Sequence, residues 1–225
     1  MKYIVFGLGS FGSSLAEKLT SRGHEVIGVD KRMEKVDALK EKITHTICMD
    51  ATDELTVSGL PLDDTDVVIV AIGENEGANI MVTALLKNLK VKRLISRAIN
   101  TLHEKVLKAI GVHEIVHPEE ETAERWSKKL CLSRVVDSFQ LSDNYSIVEI
   151  QAPQEFEGKT LKELNIRRKY NLIVLTTLMP NTDSEFPEIK LDKRSSGVAS
   201  SETRINKDEI LVVYGRNTDI NSFLK

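Results

Sequence analysis

The sequence predicts an α/β protein in which a doubly wound, parallel β-sheet is followed by a smaller α+β domain. Over the first half of the chain, short apolar runs alternate with amphipathic segments of helical periodicity. Residues 67–72 are apolar at every position, which is typical of a strand covered on both faces. Beyond about residue 138 the pattern changes to segments rich in β-branched and aromatic residues. We therefore expect domains at residues 1–118 and 138–225, joined by a crossover helix and linker at 119–137.

The first three elements form a strand-helix-strand unit. Residues 3–6 are a run of strand formers that leads into a Gly-x-Gly-x-x-Gly turn. A helix is predicted at residues 11–22, because apolar residues recur on one side of it and Gly23 is a good helix terminator. A second strand follows at residues 25–29 and ends at Asp30. This order of elements is typical of a unit that binds a nucleotide.

The rest of the first domain continues the alternation. Helices are predicted where apolar residues recur every three or four positions, and strands where short apolar runs lie between turn residues. In order these are a helix at 33–41, a strand at 45–49, a short helix capped by Thr52 or Asp53 and ending near Gly59, the strand at 67–72, a helix at 77–88, a strand at 93–96, a helix at 102–110, a strand at 114–116 and a helix from 118 to about 132. Six strands that alternate with helices make a complete Rossmann-type sheet.

The second domain is predicted to be mainly antiparallel, because its strand-like runs are not separated by long helices. Its expected elements are a strand at 145–150, a helical turn at 161–164, a strand at 171–178 and a strand at 210–214. Residues 179–201 are polar and hold two of the five prolines, so we predict a long loop or irregular hairpin there, with 188–191 inside it.

Composition and charge exclude several classes of protein. The 31 basic and 34 acidic side chains give a net charge of −3 and no electrostatic footprint for nucleic acid. No apolar run approaches the ~20 residues that span a bilayer, and we expect no signal peptide, because a predicted strand begins at the N-terminus. Cys48 and Cys131 are far apart in sequence, which predicts buried free thiols and neither a disulfide nor a metal site. We expect a cytoplasmic chain whose role at any membrane requires a partner.

The glycine-rich turn carries the main functional prediction. Gly7 permits a sharp turn out of the strand, Gly9 lets a diphosphate approach the backbone, and Gly12 lets the helix pack closely on the strand. The amides at the start of that helix then face the phosphates. Asp30 lies 18 residues after Gly12, close to the spacing of the acid that binds ribose hydroxyls. Because a carboxylate repels a 2′-phosphate, we expect ATP, ADP or NAD(H) and not NADP.

Residues that follow the other strands complete the predicted nucleotide site. Asp50 can accept a hydrogen bond from the adenine amine, and Arg97 is expected near the phosphates. Each has a purely structural alternative: Asp50 as a cap of the next turn, and Arg97 as an ion-pair partner of Glu74 or Glu76. The predicted cofactor-binding residues are Gly7, Gly9, Ser10, Phe11, Gly12, Asp30, Lys31, Asp50, Ala51, Thr52, Ile72, Gly73, Glu74 and Arg97.

Several motifs together resemble the RCK domain of Trk/Ktr-type potassium-uptake regulators. They are Gly-Leu-Gly-Ser-Phe-Gly at 7–12, Val-Asp at 29–30, Met-Asp-Ala-Thr at 49–52, Ala-Ile-Gly-Glu at 71–74, and Ile-Gly-Val at 110–112 before His-Pro-Glu at 117–119. The second half resembles the C-terminal RCK-C (TrkA-C) domain of the same family, through Phe-Glu-Gly-Lys-Thr-Leu at 156–161 and Asp-Glu-Ile-Leu-Val-Val-Tyr-Gly at 208–215. The resemblance covers nearly the whole chain.

The resemblance implies a nucleotide-binding regulatory subunit that controls a separate membrane K⁺ channel or transporter subunit. In this family the chains form dimers that assemble into an octameric gating ring at the inner face of the membrane. Glu119 resembles the family's contact for a divalent cation, Mg²⁺ or Ca²⁺, beside the terminal phosphate; its alternative role is to stabilise the N-terminus of its own helix.

Ser10 departs from the family pattern. Many ATP-binding Ktr-type members have arginine at this position, and a hydroxyl cannot neutralise a γ-phosphate as a guanidinium does. Discrimination between ATP and ADP is therefore expected to be weaker, and NAD(H), which Trk-type members use, is the alternative ligand.

The resemblance implies a second ligand at a basic cluster in the second domain. Arg167, Arg168 and Asn171 follow a helical turn, and the resemblance implies cyclic di-AMP there, with residues 187–191 as the apolar side of the pocket. The alternative is a solvated basic surface.

The alternative function is a NAD-dependent oxidoreductase with a small second domain. Such an enzyme needs an acid–base group beside the nicotinamide, and none of the four tyrosines is followed four residues later by the lysine that often assists it. His103 and His117 remain as candidates, but the first begins a helix and the second precedes a proline. We therefore expect a regulator and not an enzyme.

Overall fold

The computed structural model describes residues 1–131, 134–180 and 193–224, without the side chains of Pro180 and Lys193. The chain divides into two units, Met1–Glu120 and Glu121–Lys225.

A parallel sheet forms the centre of the first unit, all of whose residues are described. Its strands are β1 (Lys2–Phe6), β2 (Glu25–Asp30), β3 (His45–Cys48), β4 (Val67–Val70), β5 (Leu94–Arg97) and β6 (Glu114–Val116). The spatial order is β3-β2-β1-β4-β5-β6, and every neighbouring pair is parallel. The order reverses between β1 and β4, which creates a crevice at the carboxyl ends of the strands. The predicted doubly wound sheet is confirmed.

Helices cover both faces of this sheet. They are α1 (Ser10–Ser21), α2 (Met33–Asp37), α3 (Glu54–Ser58), α4 (Glu76–Asn88) and α5 (Thr101–Ile110). Helix α6 (Pro118–Cys131) follows β6, has no buried residue and passes into the second unit. Of the two predicted caps of α3, Thr52 and Asp53, the structure shows Asp53. Its side chain accepts a hydrogen bond from the Leu55 amide at 3.0 Å. Only α2 is much shorter than predicted, because turns replace the helix after Asp37.

Two apolar clusters fill the space between the sheet and its helices. Ile4 and Phe6 belong to the cluster on one face, and Val5 with Ile69 belongs to the cluster on the other. Every residue of β4 is buried, as its continuous apolar run predicted. The rigid sheet therefore holds the loops at its carboxyl edge in fixed relative positions.

The second unit is built on an antiparallel sheet. Its described strands are β7 (Val135–Ser142), β8 (Tyr145–Gln151), β9 (Ile173–Pro180), β10 (Lys193–Ser195) and β11 (Ile210–Arg216), in the order β10-β9-β11-β8-β7. Its described helices are α7 (Leu161–Leu164), α8 (Ile166–Tyr170) and α9 (Asn217–Leu224). The predicted small α+β domain is confirmed, with β7, α8 and α9 as elements that periodicity did not reveal.

The predicted irregular hairpin is described only at its ends. Strand β10 pairs antiparallel with the end of β9, whereas residues 188–191 lie outside the described residues.

Both cysteines are free, but both are exposed, so the prediction of buried thiols is wrong. Cys48 ends β3, which lies at the edge of its sheet, and Cys131 ends α6, a helix without buried residues. An apolar sequence neighbourhood did not produce burial at either position. In the described parts of the chain, no helix has the length and apolar character to cross a membrane.

Candidate functional site

A cavity of about 560 Å³ opens at the carboxyl edge of the parallel sheet. The loops that follow β1 to β4 surround it, together with Arg97 at the end of β5 and Glu119 in the first turn of α6. All of the predicted cofactor-binding residues line this cavity except Gly12. The structure therefore brings together residues from five separate stretches of sequence at one place.

Three glycines of the turn after β1 meet different surroundings. Gly7 has φ +93°, and a Cβ there would lie 2.9 Å from the Ile72 nitrogen. Gly12 is buried and does not line the cavity, and a Cβ there would collide with the Gly7 carbonyl. Gly9 has nothing within 4 Å of an added Cβ, so the space over its backbone is open to a ligand. Gly9 is the point of close approach that the motif predicts for a diphosphate.

The N-terminus of α1 is open where it meets the cavity. Gly9 is its N-cap residue, no side chain caps it, and its first turn has no acid. By contrast, Asn75 and Asn100 cap α4 and α5 by accepting from backbone amides at 2.9 Å. The first amides of a helix have no partner within the helix, and they carry partial positive charge. The start of α1 therefore suits a phosphate group.

Asp30 fixes the two loops that meet at the predicted ribose position. Its side chain is almost fully buried, and its Oδ2 atom accepts from the Leu8 amide at 2.8 Å. Its Oδ1 atom accepts from the Arg32 amide at 3.0 Å. A carboxylate has about four acceptor sites, so acceptor capacity remains for ribose hydroxyls. Asp30 thus holds the glycine-rich turn as well as lining the site, a role that its spacing alone did not predict.

Arg32 and Glu74 join two loops at the rim of the cavity. Arg32 Nη1 lies 2.9 Å from Glu74 Oε2, and Lys35 Nζ lies 3.5 Å from Glu74 Oε1. The hydrogen bond from Arg32 lowers the pKa of Glu74, and the same bond raises the pKa of Arg32. Sequence analysis did not select Arg32, although a basic residue two positions after the ribose-binding acid was a usable signal.

Asp50 lines the cavity and also organises the turn that follows β3. Its Oδ1 atom accepts from the Thr52 amide at 2.9 Å and from the Thr52 hydroxyl at 2.7 Å. These two hydrogen bonds, the amide first, lower the pKa of Asp50. The structural alternative for Asp50 is therefore present, and the contact with adenine stays a prediction for its other oxygen.

Arg97 lies across the cavity floor against Gly73, where any Cβ would collide with its guanidinium. Its Nη2 atom donates to Glu119, so the predicted alternative pairing with Glu74 or Glu76 is wrong. The Nε atom of Arg97 is buried and has no hydrogen-bond partner in the described part of the chain. Arg97 lines the cavity, so its positive charge lies within reach of an anionic ligand, whereas the enclosed Nε atom has no surface that a ligand could contact.

Glu119 provides one carboxylate to the cavity and pairs with Arg97. Among the described residues, no group of three or more His, Cys, Asp or Glu side chains is arranged to hold a metal ion. A cation at Glu119 would therefore need further oxygen ligands, such as water or the phosphates of a nucleotide, to complete its coordination.

The other predicted residues are not among those that line this cavity. Arg167 and Arg168 are exposed on α8, and the Asn171 amide donates to Asp219 of α9 at 3.0 Å. Residues 187–191, predicted as the apolar side of that pocket, lie outside the described residues. His103 is buried in α5, and neither it nor His117 lines the cavity.

Residues 3–118 match the family model of the TrkA-N domain. The chain is 37% identical over 224 residues to Ktr system potassium uptake protein C of Bacillus subtilis (strain 168), a match that covers 100% of this chain and 96% of that protein. Ktr system potassium uptake protein A of the same organism is 35% identical over 222 residues, which is 99% of this chain and 95% of that protein.

The fold is similar to that of GsuK. The crystal structure of the GsuK RCK domain gives a TM-score of 0.66 at 19% identity and covers 99% of this chain and 46% of that one. The GsuK channel bound to NAD gives a TM-score of 0.64 at 19% identity, with 97% and 38% covered. This chain thus spans less than half the length of those GsuK chains, and the similarity concerns the fold.

Proposed function

This chain belongs to the TrkA-N domain family and to the Ktr potassium uptake proteins within it, and on that premise we propose that it is a regulatory subunit that binds an adenine nucleotide and controls a membrane K⁺ channel or transporter subunit. The two Bacillus subtilis relatives, of which the match covers 96% and 95%, are named as potassium uptake proteins. This favours regulation over the alternative of a NAD-dependent oxidoreductase.

One observation carries the nucleotide proposal: three complementary groups face a single cavity. The open N-terminus of α1 suits a phosphate, the carboxylate of Asp30 suits ribose hydroxyls, and the positive charge of Arg97 suits an anion. A volume of about 560 Å³ is enough for a nucleotide. The geometry thus supports an adenosine phosphate whose 2′-hydroxyl is free.

ATP or ADP is the proposed ligand, with NAD(H) as the alternative. Asp30 disfavours NADP, because its carboxylate would face the 2′-phosphate. Ser10 lines the cavity and provides no positive charge for a terminal phosphate, so we expect a small difference between ATP and ADP. GsuK, which shares the fold, is described as a channel bound to NAD.

A divalent cation, Mg²⁺ or Ca²⁺, is proposed at Glu119 when a nucleotide is bound. The carboxylate lies in the cavity beside Arg97, where the phosphates of the ligand are expected. Hard oxygen ligands from Glu119 and the phosphates suit these cations.

We propose that the chain acts within a homo-oligomer, formed from dimers that assemble into an octameric ring, at the inner face of the membrane. A nucleotide changes the state of such a ring only by the difference between its affinities for the two states. The partner in this scheme is the membrane K⁺ channel or transporter subunit, and nucleic acid has no role.

Cyclic di-AMP is proposed as a second ligand at Arg167, Arg168 and Asn171. The two arginines are exposed on α8, where they can pair with phosphates. The Asn171 amide already donates to Asp219, so its contribution would require a rearrangement or its carbonyl oxygen.

The test is calorimetric titration of the purified protein with ATP, ADP, NADH and cyclic di-AMP, with and without Mg²⁺, together with light scattering for mass. We expect ATP or ADP to bind an octamer, and NADH to bind instead if the alternative is correct. Asp30→Ala is expected to abolish binding while the chain remains folded, with some loss of thermal stability because the Leu8 amide loses its acceptor. Unchanged affinity in Asp30→Ala, or no binding by the parent, would contradict the proposed site.

A further inference from the structure

The polar side chains behind the nucleotide cavity form a closed network centred on Asn79 of α4. Asn79, Thr83 and Ser96 are each 0% exposed. Through Nδ2, Asn79 donates to the backbone carbonyl of Ile72 at 2.8 Å and to that of Arg97 at 3.2 Å. Its Oδ1 accepts from the Ser96 hydroxyl at 3.1 Å and from the Thr83 hydroxyl at 3.4 Å. Partners on both sides fix the amide in one orientation.

The two carbonyls lie where the ladder between β4 and β5 ends. The last paired residues are Val70 and Ser96, and beyond them the chain enters the loops that line the cavity. The amide of Asn79 joins these loops where backbone pairing stops. Aspartate would place an oxygen against both carbonyls, and leucine would leave them buried without donors. Position 79 therefore requires a short side chain that donates two hydrogen bonds and also accepts hydrogen bonds.

Arg97 is the group whose placement depends on this bridge. Its guanidinium lies against Gly73, the residue after Ile72, and the side chain lines the cavity. A shift of the Ile72 carbonyl relative to the Arg97 carbonyl would move the guanidinium away from a phosphate at this place. We propose that Asn79 is a positioning residue of the nucleotide site, which holds Arg97 and the Ile72–Gly73 turn in the relative position that binding requires. The inference rests on the proposed adenine-nucleotide function.

A double-mutant cycle tests whether Asn79 acts through Arg97. The affinities for ATP and NADH would be measured calorimetrically for the parent, Asn79→Ala, Arg97→Ala and the double variant. We expect Asn79→Ala to weaken binding of the nucleotide that the parent binds by about tenfold, the loss typical of one hydrogen-bonded charge contact. In the Arg97→Ala background the same substitution should change affinity less than about twofold, since the group that it positions is absent.

Two further variants distinguish a positioning role of Asn79 from a general loss of stability around α4. Leu86→Ala removes a fully buried side chain of α4 that does not line the cavity, so it should lower thermal stability without changing nucleotide affinity. Thr83→Val removes one hydroxyl that orients the Asn79 amide, and it should reproduce a smaller part of the affinity loss even if Asn79→Ala fails to fold.

Equal losses from Asn79→Ala in both backgrounds, or a loss of affinity in Leu86→Ala as large as in Asn79→Ala, would overturn this inference and leave the proposed function standing. Absence of nucleotide binding by the parent would overturn both.

Discussion

Gly9 and Gly12 lie in the same turn, and the structure gives them opposite sensitivities to substitution. The backbone of Gly9 is extended, with φ −73° and ψ −173°, and open space lies beside it. Any residue can adopt that conformation. A Cβ on Gly12 would collide with the carbonyl of Gly7 and lie 3.1 Å from the Ala71 Cβ. The fold thus requires glycine at position 12 but not at position 9, where only the proposed ligand would require it.

We predict that Gly9→Ala weakens ATP or NADH binding by about tenfold or more, a change of ~1.4 kcal/mol, because the methyl group occupies the space where the diphosphate approaches. Its stability should stay within about 0.5 kcal/mol of the parent. Gly12→Ala should lose about 1–3 kcal/mol of stability through overpacking. Chemical denaturation and calorimetric titration of both variants check this, and a destabilised Gly9→Ala that binds normally would contradict it.

Single residues show how far sequence reasoning reaches. The position of Asp30 was predictable, because the spacing from the glycine turn places an acid at the end of β2. Its hydrogen bond to the Leu8 amide was not predictable, since it depends on how two loops meet in space. The same applies to the pairing of Arg97 with Glu119, because no spacing rule distinguishes one acid from another across 22 residues.

Helix α5 contains a buried titratable group that the proposed function does not use. His103 is 2% exposed, and neither ring nitrogen has a hydrogen-bond partner among the described residues. Burial lowers the pKa of His103, and the nearby carboxylate of Glu76 on α4 opposes this only in part. The folded state therefore holds a neutral imidazole between α4 and α5.

We predict that the parent loses stability as the pH falls below about 6.5, the ordinary pKa of histidine in an unfolded chain. The folded pKa is lower than this value, so the unfolded state binds the proton first. Stability is then complete above the unfolded pKa and declines as the pH falls toward the folded one. One proton accounts for at most about 1.4 kcal/mol per pH unit.

Urea denaturation between pH 5 and pH 8 measures this effect. His103→Leu should remove most of the slope near pH 6, whereas His45→Gln, a change at an exposed residue, should retain it. An equal slope in His103→Leu and the parent would assign the pH dependence to other groups.

Strands and helices with a strong local sequence pattern were predicted, and those with a weak pattern were missed. Strand β4 was predicted because every residue is apolar, and every residue proved to be buried. Helix α9 was missed because its sequence has weak helix formers, and Ile220 and Phe223 hold it by packing into the core of the second unit. Strand β7 was missed because it is an edge strand whose second half is exposed, which blurs the alternation.

The ligand sites of the two units were predicted on different grounds. In the first unit, parallel strands bring their carboxyl ends to one edge, so residues after each strand could be grouped into one site from sequence alone. In the second unit, antiparallel strands offer no such rule, and the basic cluster of α8 was selected by resemblance. The proposed ligands of the two units are therefore independent hypotheses.

We predict that substitutions in one unit leave binding at the other intact. Arg168→Ala should remove cyclic di-AMP binding, because an exposed guanidinium that can pair with a phosphate is lost, and it should leave ATP affinity unchanged. Gly9→Ala should weaken ATP binding and leave cyclic di-AMP affinity unchanged. Lys162→Ala is the matched control, since it removes one exposed positive charge of the same unit outside α8. Titration of each variant with both nucleotides gives the full comparison.

The comparison with Lys162→Ala decides what the α8 cluster does. Equal loss of cyclic di-AMP binding in Arg168→Ala and Lys162→Ala would mean that net charge and not a built site attracts the ligand, because a diffuse field does not distinguish the two positions. A parent that binds ATP but no cyclic di-AMP would leave the cluster as a solvated basic surface. Loss confined to Arg168→Ala is the outcome expected of a site, since a bidentate guanidinium–phosphate contact depends on one geometry.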